Sequence, residues 1–191
     1  MMTKTALRKY YQEKRLSLTD RDRNRMDDLL LIRFQQWEIP MHISTVLSYW
    51  PLKHRVEPNT FLFTDFLAFR MPGIAVAYPV SDFKHHTMQA LLVNDDTDYK
   101  VNQYGIAEPV EGEPVAPEEI DLVLVPMLAF DRKGYRLGYG KGFYDRYLSK
   151  CRPDLVKLGL CYFEPVGEIP GIDQYDVPLN ACITPERIYE F

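Results

Sequence analysis

The sequence predicts an α/β domain built on a largely parallel sheet. Strand-like and helix-like stretches alternate along most of the chain, and several of the strand-like runs are short and apolar throughout. A length of 191 residues, 46% hydrophobic and 26% charged, suffices for one globular core and leaves no tract that reads as disordered. A single domain over residues 1–191 is therefore expected.

The chain opens on two helical patterns. Thr3 is placed to cap a helix over residues 3–16, with Ala6, Leu7, Tyr10 and Tyr11 near one face. Ser17 or Thr19 starts a second helix through residue 37, whose later half carries Met26, Leu29, Leu30 and Phe34, and Pro40 stops it. Residues 43–50 are β-rich. Pro58, suited to a first helical turn, leads into an apolar helix ending near Arg70. Strands follow over 74–78 and 88–93. The proline- and glutamate-rich stretch 108–119 reads as a surface connection, because strand signals resume at 121–125. A helix over 142–150, a strand over 156–162 and a last one over 182–184 complete the chain.

A formal charge of −4 argues against a general nucleic-acid binder. The basic run 14–25 is interrupted by Asp20 and Asp22 and reads as a solvated helix face. Cys151, Cys161 and Cys182 are odd in number and lack metal-ligand spacing, which suits reduced thiols and a cytoplasmic setting. Residues 1–15 are charged, without the apolar centre of a signal peptide. The longest apolar run, 122–130, covers about half a membrane span and contains Pro126. Neither a nucleic-acid partner nor a membrane is expected.

The densest chemistry lies in residues 136–145. The strand over 121–125 feeds a segment with Gly134, Gly138, Gly140 and Gly142, and a helix follows directly. A strand–loop–helix turn brings free backbone N–H groups and the positive end of a helix dipole together, and glycines let an anion approach the backbone. Arg136 and Lys141 add positive charge suited to polyphosphate. Asp145, one turn into the helix, is near enough to hold a cation bound to the phosphates. The segment is neither of the common phosphate loops. A Walker A loop would need glycine at Tyr135 and Ser or Thr at Gly142, and a dinucleotide fingerprint would need glycine at Phe143.

The stretch Val125-Pro126-Met127-Leu128-Ala129-Phe130-Asp131, then Gly134, then Arg136-Leu137-Gly138-x-Gly140-x-Gly142-Phe143-Tyr144-Asp145-Arg146-Tyr147-Leu148 resembles the 5-formyltetrahydrofolate cyclo-ligase family. Further pieces agree in order. They are Lys4 with Leu7-Arg8, Glu57, Tyr104-Gly105-Ile106-x-Glu108-Pro109, Tyr175-Asp176-Val177-Pro178-Leu179-Asn180 and Ile183-Thr184-Pro185. The resemblance thus covers nearly the whole chain. It implies a three-layer α/β/α architecture like that of the sugar-phosphate isomerase and CoA-transferase-like proteins. It also implies ATP-dependent closure of 5-formyltetrahydrofolate to 5,10-methenyltetrahydrofolate by a monomer, with magnesium as cofactor and ADP and phosphate released.

By the same resemblance, Lys4 and Arg8, which share one helical face, would reach the ATP phosphates. Arg136, Leu137, Gly138, Tyr139, Gly140, Lys141, Gly142, Phe143 and Tyr144 would cradle ATP, and Tyr139 to Phe143 would also line the folate side. Lys4, Arg136 and Lys141 would supply catalytic charge, Glu57 would hydrogen-bond the pterin, and Asp145 and Asp176 would hold magnesium. Two positions depart from the usual pattern: Tyr175 stands where His is common, and Asn180 where Asp is common. A sugar-phosphate isomerase or acyl-transferase relative fits less well, because the Lys4/Arg8 pair and the long glycine motif suit a triphosphate. A non-catalytic binding protein would not need Lys4, Arg136, Asp145 and Asp176 all retained.

Overall fold

The structure, a computed structural model, describes residues 2–40 and 42–191. Helix α1 (Lys4–Leu16) begins where Thr3 Oγ1 accepts a hydrogen bond from the Ala6 amide at 3.1 Å. Of the two candidate caps for α2 (Asp20–Gln36), Thr19 is the one used, and Ser17 closes α1 instead. Thr19 Oγ1 accepts from the Asp22 amide at 3.1 Å while Asp22 Oδ2 accepts from the Thr19 amide at 3.2 Å, a reciprocal capping box. The buried stripe of α1 is Leu7, Tyr11 and Arg15, at i, i+4 and i+8, whereas Tyr10 is 48% exposed. On α2 the buried residues are Asp27, Leu30 and Phe34. Phe34 meets Phe63 of α3 (Phe61–Arg70) edge-on at 5.1 Å between ring centroids. Pro58 lies before α3 and not in its first turn. Thr60 at the cap position gives its hydroxyl to the Tyr49 carbonyl, 2.7 Å away.

Eight strands make the central sheet. In chain order they are β1 (Thr45–Leu47), β2 (Ala75–Asp82), β3 (Thr87–Val93), β6 (Pro114–Val115), β7 (Leu122–Val125), β10 (Val156–Leu160), β11 (Ala181–Ile183) and β12 (Ile188–Glu190). Their spatial order is β12-β11-β10-β7-β1-β2-β3-β6. Strands β11, β10, β7, β1 and β2 run parallel, in registers such as Val46 opposite Leu122 and Leu160 opposite Ile183. Antiparallel β12 closes one edge, and antiparallel β3 and β6 the other. The α/β class and the mostly parallel sheet are as the sequence predicts. All four residues of β7 are buried, which explains why the run is apolar without alternation.

Strand lengths differ from expectation where hydrogen bonding, not apolarity, sets the ends. The β-rich stretch 43–50 contains only β1, although the Ser48 amide still reaches the Ala77 carbonyl at 2.9 Å. β2 outruns its apolar segment to Asp82 because it turns into a hairpin with β3. The stretch 108–119 is more than a surface connection. β5 (Ala107–Pro109) is buried and pairs with β4 (Tyr99–Val101), and β6 adds an edge strand. Glu108 is the reason: its buried carboxylate accepts from the Ser81 amide at 2.8 Å, tying the segment to β2. At the start of the sheet, Asp121 Oδ2 accepts from the Ser44 and Thr45 amides at 2.7 and 2.9 Å, pinning β1 beside β7.

The three cysteines are free thiols, Cys161 and Cys182 buried. Among the described residues no helix is long and apolar enough to cross a membrane. Gly159, inside β10, has no room for a side chain: a Cβ there would meet Met127, and Leu179 Cδ1 at 2.9 Å. Gly159→Ala should cost about 1–3 kcal/mol through overpacking, read as a lower urea midpoint. An unchanged midpoint would contradict the tight fit.

Candidate active site

In an open α/β sheet ligands sit beyond the carboxyl ends of the strands, where the direction of strand addition reverses. Here the chain adds β2 and β3 on one side of β1, then β7, β10 and β11 on the other, so the reversal falls between β1 and β7. The segment after β1, Pro126 after β7 and the glycine segment wall a cleft at that point. It encloses about 1210 Å³ of space, solvent at its mouth included. Every residue expected to bind ATP, folate or magnesium lines this cleft, from Lys4 and Arg8 through Glu57 and the run 136–145 to Asp176. The walls carry Lys4, Arg8, Arg55, Arg136 and Lys141 against only Glu57, Asp145 and Asp176. The cleft is therefore cationic on a chain of net charge −4.

The glycine segment differs from the expected strand–loop–helix turn. A hairpin, β8 (Ala129–Phe130) with β9 (Arg136–Leu137), intervenes after β7. The helix that follows, α4 (Phe143–Leu148), is shorter than the stretch 142–150 and starts at a left-handed Gly142, φ 68°. A helix this short contributes little dipole. Leu137 is core, its carbonyl accepting from the Leu128 amide at 2.8 Å. The Arg136 guanidinium is buried behind the wall, with Nη2 on Asp145 Oδ1 at 2.6 Å and Nη1 on the Val177 carbonyl.

The alternate glycines have separate jobs. Gly140, φ 86°, leaves the space where its Cβ would stand to the Arg8 guanidinium, 3.2 Å away. Gly142 does the same for Arg146, 3.0 Å away, whose Nη2 and Nε donate to the Lys141 and His86 carbonyls at 2.5 and 2.8 Å. Only Gly138 opens onto empty space, and its carbonyl accepts from Arg8 Nε at 2.9 Å.

A second cluster sits under the cleft floor. Arg15, 0% exposed, donates through Nη1 to the Tyr139 hydroxyl at 3.1 Å and through Nη2 to the Met127 carbonyl. The Tyr139 hydroxyl in turn donates to Glu57 Oε1, and the Leu52 amide donates to Glu57 Oε2 at 2.9 Å. Burial, then the Glu57 carboxylate, push the Tyr139 hydroxyl far above its ordinary pKa, so it stays a proton donor. Arg55 stacks its guanidinium 4.5 Å from the Tyr139 ring centroid. Phe83 and Tyr104 meet at 4.2 Å, and Phe83 meets Phe143 at 5.3 Å, forming an aromatic end wall.

The two aspartates each have one oxygen engaged. Asp145 Oδ1 takes Arg136 and the Val177 amide, and Asp176 Oδ2 takes Lys4 Nζ at 3.1 Å and the Asp173 amide at 3.0 Å. Among the described residues no group of three or more His, Cys, Asp and Glu is arranged around a metal. Two carboxylates with one oxygen each to offer still fit magnesium, which takes one or two and fills its shell with phosphate and water. Of the two departures, Tyr175 is exposed, and Asn180 belongs to another corner. Its amide oxygen accepts from the Lys157 amide at 2.9 Å, at the amino end of β11. Arg55 and Phe83 have no place in the sequence expectations, Tyr104 enters them only within a family-like stretch, and Arg15, expected on a solvated helix face, is buried. Arg15 was legible in principle, as the next member of the Leu7–Tyr11 stripe.

A cation-lined cleft at the switch point of a mostly parallel sheet is the site of an α/β enzyme suited to anionic substrates. The profile of the 5-formyltetrahydrofolate cyclo-ligase family matches residues 1–185, and the chain belongs to that family. It is 29% identical over 188 residues to the 5-formyltetrahydrofolate cyclo-ligase of Mycoplasma pneumoniae, spanning 97% of this chain and 100% of that protein. The structure superposes on Aquifex aeolicus 5,10-methenyltetrahydrofolate synthetase with a TM-score of 0.81 at 30% identity, covering 99% of this chain and 93% of that one. A 5,10-methenyltetrahydrofolate synthetase from Mycoplasma pneumoniae gives 0.72 at 28% identity, covering 95% and 98%.

The glycines allow a paired test. Gly140→Ala, at a left-handed position filled by Arg8, should lower folding stability by about 1–2 kcal/mol. Gly138→Ala should leave stability nearly unchanged and weaken binding of a nucleoside triphosphate, since its methyl would enter the open space. Denaturant titration and calorimetric ligand titration of both variants check this. Equal stability losses would contradict the division of roles.

Proposed function

We infer that this protein closes 5-formyltetrahydrofolate to 5,10-methenyltetrahydrofolate with ATP as phosphoryl donor. The observation that carries the reading is the single cleft with two unlike corners, in a chain matched by one family profile over residues 1–185. One corner offers Lys4, Arg8 and Lys141 to a triphosphate. The other presents the Glu57 carboxylate, held by Tyr139 and the Leu52 amide, as an acceptor for the pterin.

The reaction needs the formyl oxygen and the γ-phosphorus brought in line. The oxygen attacks phosphorus, the bond to the β–γ bridging oxygen breaks, and ADP leaves with that electron pair. N10 then attacks the formyl carbon and loses its proton, the carbon–oxygen bond breaks, and phosphate departs as the ring closes. In phosphoryl transfer the protein mainly orients the groups and neutralises developing charge. Lys4 and Lys141, part-buried and exposed, have the reach to follow the moving phosphoryl group. Arg136, fixed behind the wall by Asp145 and Val177, contributes a standing positive field. Asp145 and Asp176 would hold magnesium, which supplies charge neutralisation at the phosphates. We further read the protein as a cytoplasmic monomer without nucleic-acid partners, in keeping with its free thiols and net negative charge.

Incubation with 5-formyltetrahydrofolate and magnesium-ATP should generate the near-ultraviolet absorbance of the methenyl product. Folded protein that yields none would refute the reading. Lys141→Ala should raise the KM for ATP at least about tenfold while moving folate binding much less, as expected for a charge-assisted phosphate contact. Equal losses would remove Lys141 from the phosphate corner.

A further inference from the structure

Arg15 has no direct place in the reaction and yet is the part of the site that is most expensive to keep. Burying a guanidinium costs several kcal/mol unless its surroundings return the loss. Among the described residues no carboxylate pairs with it directly: its fork is spent on the Tyr139 hydroxyl and the Met127 carbonyl, and Nε has no partner. Burial opposes its charge, but Tyr139, Cys161 and Glu57 together raise its pKa.

The direction of the hydrogen bonds says what the charge accomplishes. A guanidinium can only donate. Its N–H occupies a lone pair of the Tyr139 hydroxyl, so the tyrosine proton is directed to Glu57 Oε1. Glu57 Oε2 is held by a donor from a different segment, the Leu52 amide. The carboxylate is thereby fixed in plane and kept an acceptor on both oxygens. That suits a substrate edge with two neighbouring N–H groups, such as the amide and amine of a fused pyrimidinone.

We propose that Arg15 is a positioning residue for the folate half of the site, acting through Tyr139 on Glu57. The proposal rests on the reading of Glu57 as the pterin acceptor. It also makes α1 a two-ended element. At about 3.6 residues per turn, Lys4, Arg8 and Arg15 share one side of the helix. The first two serve the nucleotide corner and the last serves the folate corner.

The test separates a positioning role from a merely structural one. Full-length wild type, Arg15→Met, Arg15→Lys, Tyr139→Phe, Glu57→Gln and the Arg15→Met/Glu57→Gln double variant are titrated calorimetrically. The ligands are 5-formyltetrahydrofolate and, separately, magnesium with a non-hydrolysable ATP analogue. Arg15→Met and Tyr139→Phe should each weaken folate binding about tenfold and change nucleotide binding by less than about twofold. Arg15→Lys should recover part of the loss. On the Glu57→Gln background Arg15→Met should add little, because both act through one carboxylate. Should Arg15→Met not fold, Tyr139→Phe and Arg15→Lys carry the same comparison. Equal loss of both ligands, losses that add with Glu57→Gln, or no loss in Tyr139→Phe would overturn the proposal. Wild type that binds neither ligand would instead overturn the proposed function itself.

Discussion

The seating of α1 on the glycine segment is the constraint on which the cleft depends. Arg8 fills the space that Gly140 leaves empty and binds the Gly138 carbonyl, while Arg15 passes under the floor to Tyr139 and Met127. Lys4 closes the near end on Asp176. One helix thus touches the segment after β7, the glycine hairpin and the C-terminal loop. Without it, these segments would have no common reference. The sheet supplies the crevice, but the helix makes its walls a single site.

Two of the five cations of the cleft are paired with its carboxylates. Lys4 with Asp176 and Arg136 with Asp145 are both at least partly shielded from water, so their attraction is worth more than that of an exposed pair. Such pairing lets a strongly cationic cleft persist without self-repulsion. Under the proposed reading, a cation held by Asp176 would free Lys4 for phosphate. Arg136 has less freedom, being buried and held by both Asp145 and the Val177 carbonyl.

Much of this was legible in the sequence because it depends on spacing. Continuous apolar runs announced the covered parallel strands, whereas Lys4, Glu57 and Asp176 joined the glycine motif only through the family resemblance. What was hidden depends on which atoms fill which spaces. The glycines read as a bare anion cradle, whereas two of them are seats for Arg8, distant in sequence, and for Arg146, which reaches across to the His86 carbonyl. Glu108 looked like part of an acidic connector because nothing nearby in sequence says that the Ser81 amide will need its carboxylate. Pro58 suggested a helix start that Thr60 takes over, its hydroxyl being claimed by Tyr49. Arg15 was read as one charge among many on a basic stretch, since a buried guanidinium is uncommon and its network is assembled only by the fold.

The central claim is that α1 is a wall common to both halves of the site. Amide hydrogen exchange over Lys4–Leu16 tests it most directly, measured with magnesium and a non-hydrolysable ATP analogue alone, and with 5-formyltetrahydrofolate alone. Each ligand by itself should slow exchange in this helix. If either ligand binds and leaves α1 exchange unchanged, the helix serves one half only and the account is wrong.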